Sequence, residues 1–198
     1  MYLYGASGHG RVIREILESQ GRTVDGFVDD DPRLTELDGL PVRHSAEGID
    51  ELLVSIGNNA TRRAAVDRLT ARFAAAAVHA RAVVSATASL GEGTAVMAGA
   101  VINAAARIGR HCIVNTGASV DHECVVGDYA HIAPHATLCG QVHVGEGTLV
   151  GAGASVIPCV SIGKWCVIGA GAAVVEDIPD YSVAVGVPAR VIKISTIE

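Results

Sequence analysis

The sequence predicts a small Rossmann-like α/β parallel sheet over residues 1–77 followed by a hexapeptide-repeat parallel β-helix over residues 78–198. Three observations carry this expectation. Strand-like and helix-like segments alternate in the first part of the chain. From Val78 to Val174 every sixth residue is aliphatic, and a small or β-branched residue recurs four positions after it, from Ala82 to Ala172. Alternating strands and helices close into a parallel sheet through right-handed crossovers. A strict six-residue period is the signature of a coil stacked on itself.

The first unit begins with a short apolar strand at Tyr2–Tyr4, and Gly5-Ala-Ser-Gly-His-Gly10 then reads as a turn. Arg11–Gln20 carries Val12, Ile13, Ile16 and Leu17 at helical spacing. A second strand is expected at Val24–Val28, a third at Leu52–Ile56, and a second helix at Ala60–Arg72. In the repeats, glycine favours the position after the aliphatic residue, as at Gly91, Gly109, Gly127, Gly145, Gly151, Gly163 and Gly169, where tight corners call for a permissive backbone. Of the five cysteines, Cys112, Cys124 and Cys166 fall on the small inward position, which makes them core residues. The odd count and the lack of a CxxC pair argue against a disulfide framework or a zinc ribbon.

Composition narrows the function. The formal charge of -6 with no basic run disfavours nucleic-acid and anionic-membrane partners. No stretch is long and apolar enough to span a bilayer. The opening residues lack the features of a secretory signal, so a cytoplasmic location is expected.

Chemistry concentrates in Asp121-His-Glu-Cys-Val-Val-Gly-Asp-Tyr-Ala-His131. If three hexads make one coil, residues eighteen apart stack, and His122 lies between Ala104 and Gly140. Trimmed neighbours leave room for a ligand against the imidazole, and Glu123 offers a carboxylate to fix its tautomer. Asp121 stacks with Asn103 and Cys139 and reads as a corner residue. His131 lies half a coil from His122, so the two cannot face one spot on one chain, and a shared site would lie between subunits of a cyclic trimer. His111, His135 and His143 read as surface or interface residues. Upstream, the glycine turn presents N–H groups from Ser7, Gly8, His9 and Gly10 to a phosphate. Asp29 and Asp30 follow the second strand, where they would accept hydrogen bonds from a ribose or base. The order G-x-x-G-x-G and the short domain argue against NAD.

The repeat resembles that of the left-handed β-helix acyltransferases, and the ending Asp177-Ile-Pro with Gly186-Val-Pro-Ala-Arg190 is similar to the closure of their acetyl-CoA-dependent members. Over its whole length the chain resembles the PglD/NeuD-type sugar-nucleotide acetyltransferases of bacillosamine biosynthesis and the related sialic acid O-acetyltransferases. The match runs through Gly5–Gly10, Asp29-Asp30, Ile56-Gly-Asn-Asn59 with Arg62, Asn115-Thr116, His122-Glu123, His131 and Gly140. The resemblance implies that His122 is general base and Glu123 its partner. It also implies that His131, the Gly140 amide, Asn115, Gly169, Pro188 and Ala189 meet acetyl-CoA. Ser7, Gly8, His9, Gly10, Asp29, Asp30, Gly57 and Asn58 would hold a nucleotide sugar, in a homotrimer that uses no metal.

The expected reaction is acetylation of the 4-amino group of a nucleotide-linked sugar, first among them UDP-4-amino-4,6-dideoxy-N-acetylglucosamine. GDP- and dTDP-linked sugars and sialic acid O-acetylation remain alternatives. A β-helix metalloenzyme would need three convergent histidines, which the spacing does not suggest. An inert β-helix scaffold has no use for a bare Gly140 beside His122-Glu123.

Overall fold

The structure, a computed structural model, describes residues 1–194, so the last four residues of the expected 78–198 unit lie outside the described residues. The N-terminal part comprises β1 (Tyr2–Tyr4), α1 (Gly8–Ser19), β2 (Gly26–Val28), β3 (Glu36–Leu37), β4 (Leu40–Arg43), β5 (Glu51–Val54), α2 (Asn59–Arg68) and β6 (Arg72–Phe73). Its sheet runs β3-β4-β2-β1-β5-β6, with β1 parallel to both β2 and β5. The chain therefore reverses its direction of travel across the sheet at β1 and β5, and in such sheets ligands enter the crevice at the carboxyl ends of the strands.

Helix α1 forms because Ile13, Ile16 and Leu17 make one apolar stripe, and all three are buried. Val12, grouped with them by sequence, is 37% exposed, because it falls off that stripe. Helix α2 ends at Arg68, short of the expected Arg72, and the chain goes straight into β6. The β3–β4 hairpin lies outside the strands that the sequence predicts. Its turn is Asp38-Gly39, both with positive φ (49° and 77°), the Asp-Gly pairing that two-residue hairpins favour.

The rest of the chain is a left-handed parallel β-helix. Two-residue strands pair in parallel with partners eighteen residues away, as Ile113 pairs with His131 and Ser119 with Thr137. Three faces result. The first carries Ala77–Val78, Ala95–Val96, Ile113–Val114, His131–Ile132, Leu149–Val150 and Val167–Ile168. The second runs from Val83–Val84 to Ala173–Val174, the third from Ser89–Leu90 to Ser161–Ile162. The six-residue aliphatic series fills the interior with the small series beside it; Val114, Val120, Ile132 and Leu138, with Ala118 and Ala136, all lie in one buried core. Each such aliphatic side chain contributes roughly 1.5–3 kcal/mol. Cys112, Cys124 and Cys166 take the small inward position, and each thiol donates to a corner carbonyl at 3.1 Å.

The corners correct one expectation. Glycines after the aliphatic residue do not have positive φ. They are needed because the next coil lies too close: a Cβ on Gly91 would sit 2.5 Å from the Gly109 carbonyl, and one on Gly145 2.5 Å from Gly163. Left-handed backbone occurs two residues later instead, at every sixth position from Gly93 to Gly171, and includes Ala105, His111, Glu123, Tyr129, His135, Gln141, Cys159 and Trp165. L-residues enter this region at a cost, which the repeated inter-coil hydrogen bonds offset.

The N-terminal part packs on the first face. Leu3, Ile13, Ile16 and Phe27 share a core with Ala77, Ala95, Met97 and Ile113. At the far end Ser182–Val185 pairs with the last coil and folds back on Arg190–Ile194.

Candidate active site

At the carboxyl ends of β1, β2 and β5 a cavity of about 450 Å³ opens between Gly5, Ser7, Asp29, Asp30, Gly57 and Arg68. The turn between β1 and α1 is held by close contact. Gly5 has φ +115°, and a Cβ on Gly10 would lie 2.6 Å from the Gly5 carbonyl oxygen. The buried Ser55 hydroxyl lies 3.0 and 2.8 Å from the Tyr4 and Gly5 carbonyls. Gly8 differs, since nothing lies within 4 Å of a Cβ placed on it. No side chain caps α1 and no acid occupies its first turn, so its leading N–H groups are left for an anion.

The two aspartates divide the work. Asp29 accepts from the Ala6 N–H at 2.7 Å and the Asp31 N–H at 3.0 Å, which braces the turn and its own loop. Asp30 reaches the mouth of the cavity, where it accepts from the Tyr4 hydroxyl and the Arg68 guanidinium. Burial, then Asp30, pushes the Tyr4 phenol up to about 12, so it stays protonated and donating. Arg68 also lies over the Tyr4 ring, 5.4 Å from its centroid. Tyr4, Arg68, Thr61 and Ser55 were not singled out by sequence, because no local pattern brings a strand, a loop and the end of α2 together.

Gly57 joins this cavity to a smaller one of about 210 Å³, lined by Asn58, Asn59, His131, Gly147, Leu149 and Trp165. The Asn58 side chain caps α2, accepting from the Thr61 N–H at 2.9 Å. Between the two units lies Arg62, 1% exposed and, among the described residues, with no carboxylate beside it. Its five donors reach the carbonyls of His111, Ile56, Gly57 and Tyr129 and the Asn59 side chain at 2.7–3.0 Å. Burial lowers the guanidinium to about 10, still charged at neutral pH. His131 lies 3.0 Å from the Asn115 amide nitrogen, and a donating amide leaves Nε2 as acceptor. Burial first, then the Arg62 charge, lowers both His131 and His9 to about 4, so both are neutral at pH 7.

His111 requires a correction. Expected at the surface or an interface, it is 1% exposed inside the chain, wedged edge-on against Phe73 and parallel to Tyr129, with Nδ1 unpaired among the described residues. The corner it occupies is the one covered by Phe73 and the Arg62 end of α2. His135 and His143 occupy uncovered positions and are exposed.

His122 stands on the corner between the second and third faces, opposite the first face. Its Nδ1 lies 3.1 Å from Glu123 Oε2. A carboxylate only accepts, so Nδ1 carries the proton and Nε2 presents its lone pair. Gln141, one coil above, donates to the same Glu123 oxygen at 3.1 Å. Gln141 first and His122 second hold the Glu123 carboxyl below the usual range. A Cβ on Gly140 would lie 2.6 Å from His122 Nε2, so the imidazole rests on bare backbone. The Gly140 N–H has no partner among the described residues. Asp121 accepts from Asn103 at 2.8 Å, as the eighteen-residue stack requires.

The proposed acetyl-CoA contacts do not converge in one chain. Asn115 and His131 touch each other, His122 and Gly140 touch each other, and the two pairs lie on different sides of the prism. Gly169 packs against Val185, and Ala189 is tied to the Ala173 carbonyl at 2.7 Å after a cis Val187–Pro188 bond. Among the described residues no group of three His, Cys, Asp or Glu is placed to hold a metal, and no helix is long and apolar enough to cross a membrane.

Residues 1–69 match the family model of the PglD N-terminal domain, and residues 105–140 and 141–175 match that of the bacterial transferase hexapeptide repeats. No curated protein matches the chain. Among solved structures it is similar to PerB from Caulobacter crescentus in complex with CoA and GDP-perosamine, at 42% identity over 97% of this chain and 96% of that one, with a TM-score of 0.91. Variants of that GDP-perosamine N-acetyltransferase with one histidine replaced by asparagine or alanine match equally well, at 41% identity and TM-score 0.92. The acetyltransferase domain of PglB from Neisseria gonorrhoeae, in complex with acetyl coenzyme A, is 35% identical over 96% of this chain and 98% of that one, with a TM-score of 0.87. The chain belongs to the hexapeptide-repeat, acetyl-CoA-dependent sugar N-acetyltransferases of the PglD/NeuD type.

Proposed function

We propose that this enzyme transfers acetyl from acetyl-CoA to the 4-amino group of a nucleotide-linked 4-amino-6-deoxy sugar, with His122 as general base. The observation that carries the reading is His122, held by Glu123 on one nitrogen and set against bare Gly140 on the other. As the amine attacks the thioester carbon, its proton passes to His122 Nε2 and the carbonyl oxygen becomes an oxyanion. The Gly140 N–H is the donor for that oxyanion, a contact worth roughly 3 kcal/mol in comparable sites. Collapse breaks the C–S bond, and the imidazolium returns the proton to the departing CoA thiolate. No covalent acyl-enzyme is needed.

The nucleotide sugar would occupy the larger cavity, its diphosphate on the start of α1 and its base near Asp30, Tyr4 and Arg68. That cavity and its extension toward His131 lie on the first face, while His122 lies on the opposite corner. A sugar held there reaches a base only on another subunit, which supports a homotrimer with sites between chains. His131 and Asn115 would then line the acetyl-CoA path next to the neighbour's His122. Likeness to the GDP-perosamine enzyme favours a GDP-linked sugar, with the UDP-linked sugar expected from sequence as the second reading. Thiol release from acetyl-CoA, measured with GDP-, UDP- and dTDP-linked 4-amino sugars and with sialic acid, tests this. Turnover of one nucleotide amino sugar, lost by about 10²–10⁴-fold in His122→Ala, is expected. Turnover of sialic acid alone would overturn the substrate assignment, and an unimpaired variant would overturn the base.

A further inference from the structure

We propose that Gln141 is a positioning residue for the transfer, acting on His122 only through Glu123; this rests on the reading of His122 as base. Residues 105, 123, 141 and 159 form one corner column at the eighteen-residue spacing, and all four have left-handed backbone. In that column Glu123 is exposed and carries a side chain with several free rotamers. Left to itself, such a carboxylate spends much of its time in water and loses side-chain entropy whenever it turns back to the preceding residue. Gln141 removes that freedom. Its Nε2 donates to Glu123 Oε2 at 3.1 Å, the oxygen that faces His122 Nδ1 at 3.1 Å.

The amide orientation is set from its other end. Cys159 Sγ lies 3.4 Å from Gln141 Oε1, and a thiol donates where a carboxylate accepts, so the nitrogen points to Glu123. The Gln141 main chain serves the same site by a separate bond, its N–H donating to the His122 carbonyl at 2.9 Å. That bond survives substitution of the side chain. The lowered Glu123 carboxyl, whose first cause is Gln141, agrees with the geometry.

The test is a double-mutant cycle. Gln141→Asn tolerates left-handed backbone but is one methylene too short to reach Glu123, and Gln141→Ala serves as a second variant; a melting temperature for each confirms folding. Expected is a fall in kcat of about tenfold, within the contribution of a positioned general base, with KM for both substrates nearly unchanged. In a Glu123→Ala background the same substitution should do nothing further. An equal loss in both backgrounds, a loss confined to KM, or no loss in either background would overturn the proposal. His122→Ala, run in parallel, separates the two failures. If it abolishes turnover while Gln141 and Glu123 act independently, only the positioning role falls; if it leaves turnover intact, the base assignment falls and the role with it.

Discussion

The two sides of the prism handle histidine in opposite ways. On the first-face side, His131 of the coil and His9 of α1 are half-buried with Arg62 nearby and, among the described residues, no carboxylate on either ring, and burial brings both to about 4. On the opposite corner, His122 is exposed and one nitrogen meets a carboxylate that Gln141 holds in turn. A neutral, half-buried imidazole suits fixed donation and acceptance, whereas an open imidazole with an anionic partner suits taking and returning a proton. The same contrast separates glycines. Gly140 is small because a ring lies on it, Gly10 because the Gly5 carbonyl of the turn does, and Gly8 for no reason internal to the described residues.

The largest effect expected is at Arg62. Arg62→Met strands the buried His111 and Tyr129 carbonyls, the half-buried Ile56 and Gly57 carbonyls and the Asn59 amide oxygen, and at about 1–3 kcal/mol for each of the two buried acceptors the loss reaches about 2–6 kcal/mol. Chemical denaturation should show this loss, with the first-face cavities disrupted before the coils melt. Gly140→Ala should leave stability within about 1 kcal/mol of wild type, because the exposed His122 ring can swing aside. Activity should nonetheless fall by about a hundredfold, because the displaced imidazole is out of line with the attacking amine. If activity survives, the close seat of the imidazole on Gly140 is incidental.

Acid tests the first-face side. His9, His111 and His131 have folded values near 4, below the ordinary 6.5, so the unfolded chain binds their protons first. Their contribution to stability is complete above about pH 6.5 and is lost as pH falls toward 4. His111→Phe, between Phe73 and Tyr129, removes one such group and should reduce the drop in melting temperature between pH 7 and pH 5; an unchanged drop would show that His111 does not titrate there. The smallest effect is expected at Gly8→Ala. With open space and ordinary φ it should raise stability by up to about 0.5 kcal/mol, yet raise KM for the nucleotide sugar if the turn holds its diphosphate.

Much of the fold was legible because the coil repeats its own rule. The aliphatic series and the eighteen-residue stack place His122 against Gly140 and Asp121 against Asn103 without any tertiary information, and the structure has both contacts. The same stack sets Gln141 above Glu123, and the structure has that contact as well. What sequence could not supply was coverage. Nothing local distinguishes His111 from His135, since both occupy the same repeat position, and only the docking of α2 and Phe73 buries one of them. Of the cavity residues, Tyr4 lies on β1 while Thr61 and Arg68 lie at opposite ends of α2, and they meet only once the sheet has its strand order.

The central claim is that the nucleotide cleft and the base of one working site belong to different chains. Subunit complementation tests it most directly. Two variants, each inactive alone, are unfolded or dissociated together and reassembled: His122→Ala, which keeps its cleft, and Ala64→Trp, which fills the cleft and keeps His122. For a trimer with shared sites, random mixing at equal ratio should restore about a quarter of wild-type activity, since one interface in four pairs an intact cleft with an intact base. Mixed assemblies with no activity would show that each chain completes its own site, and the account would be wrong.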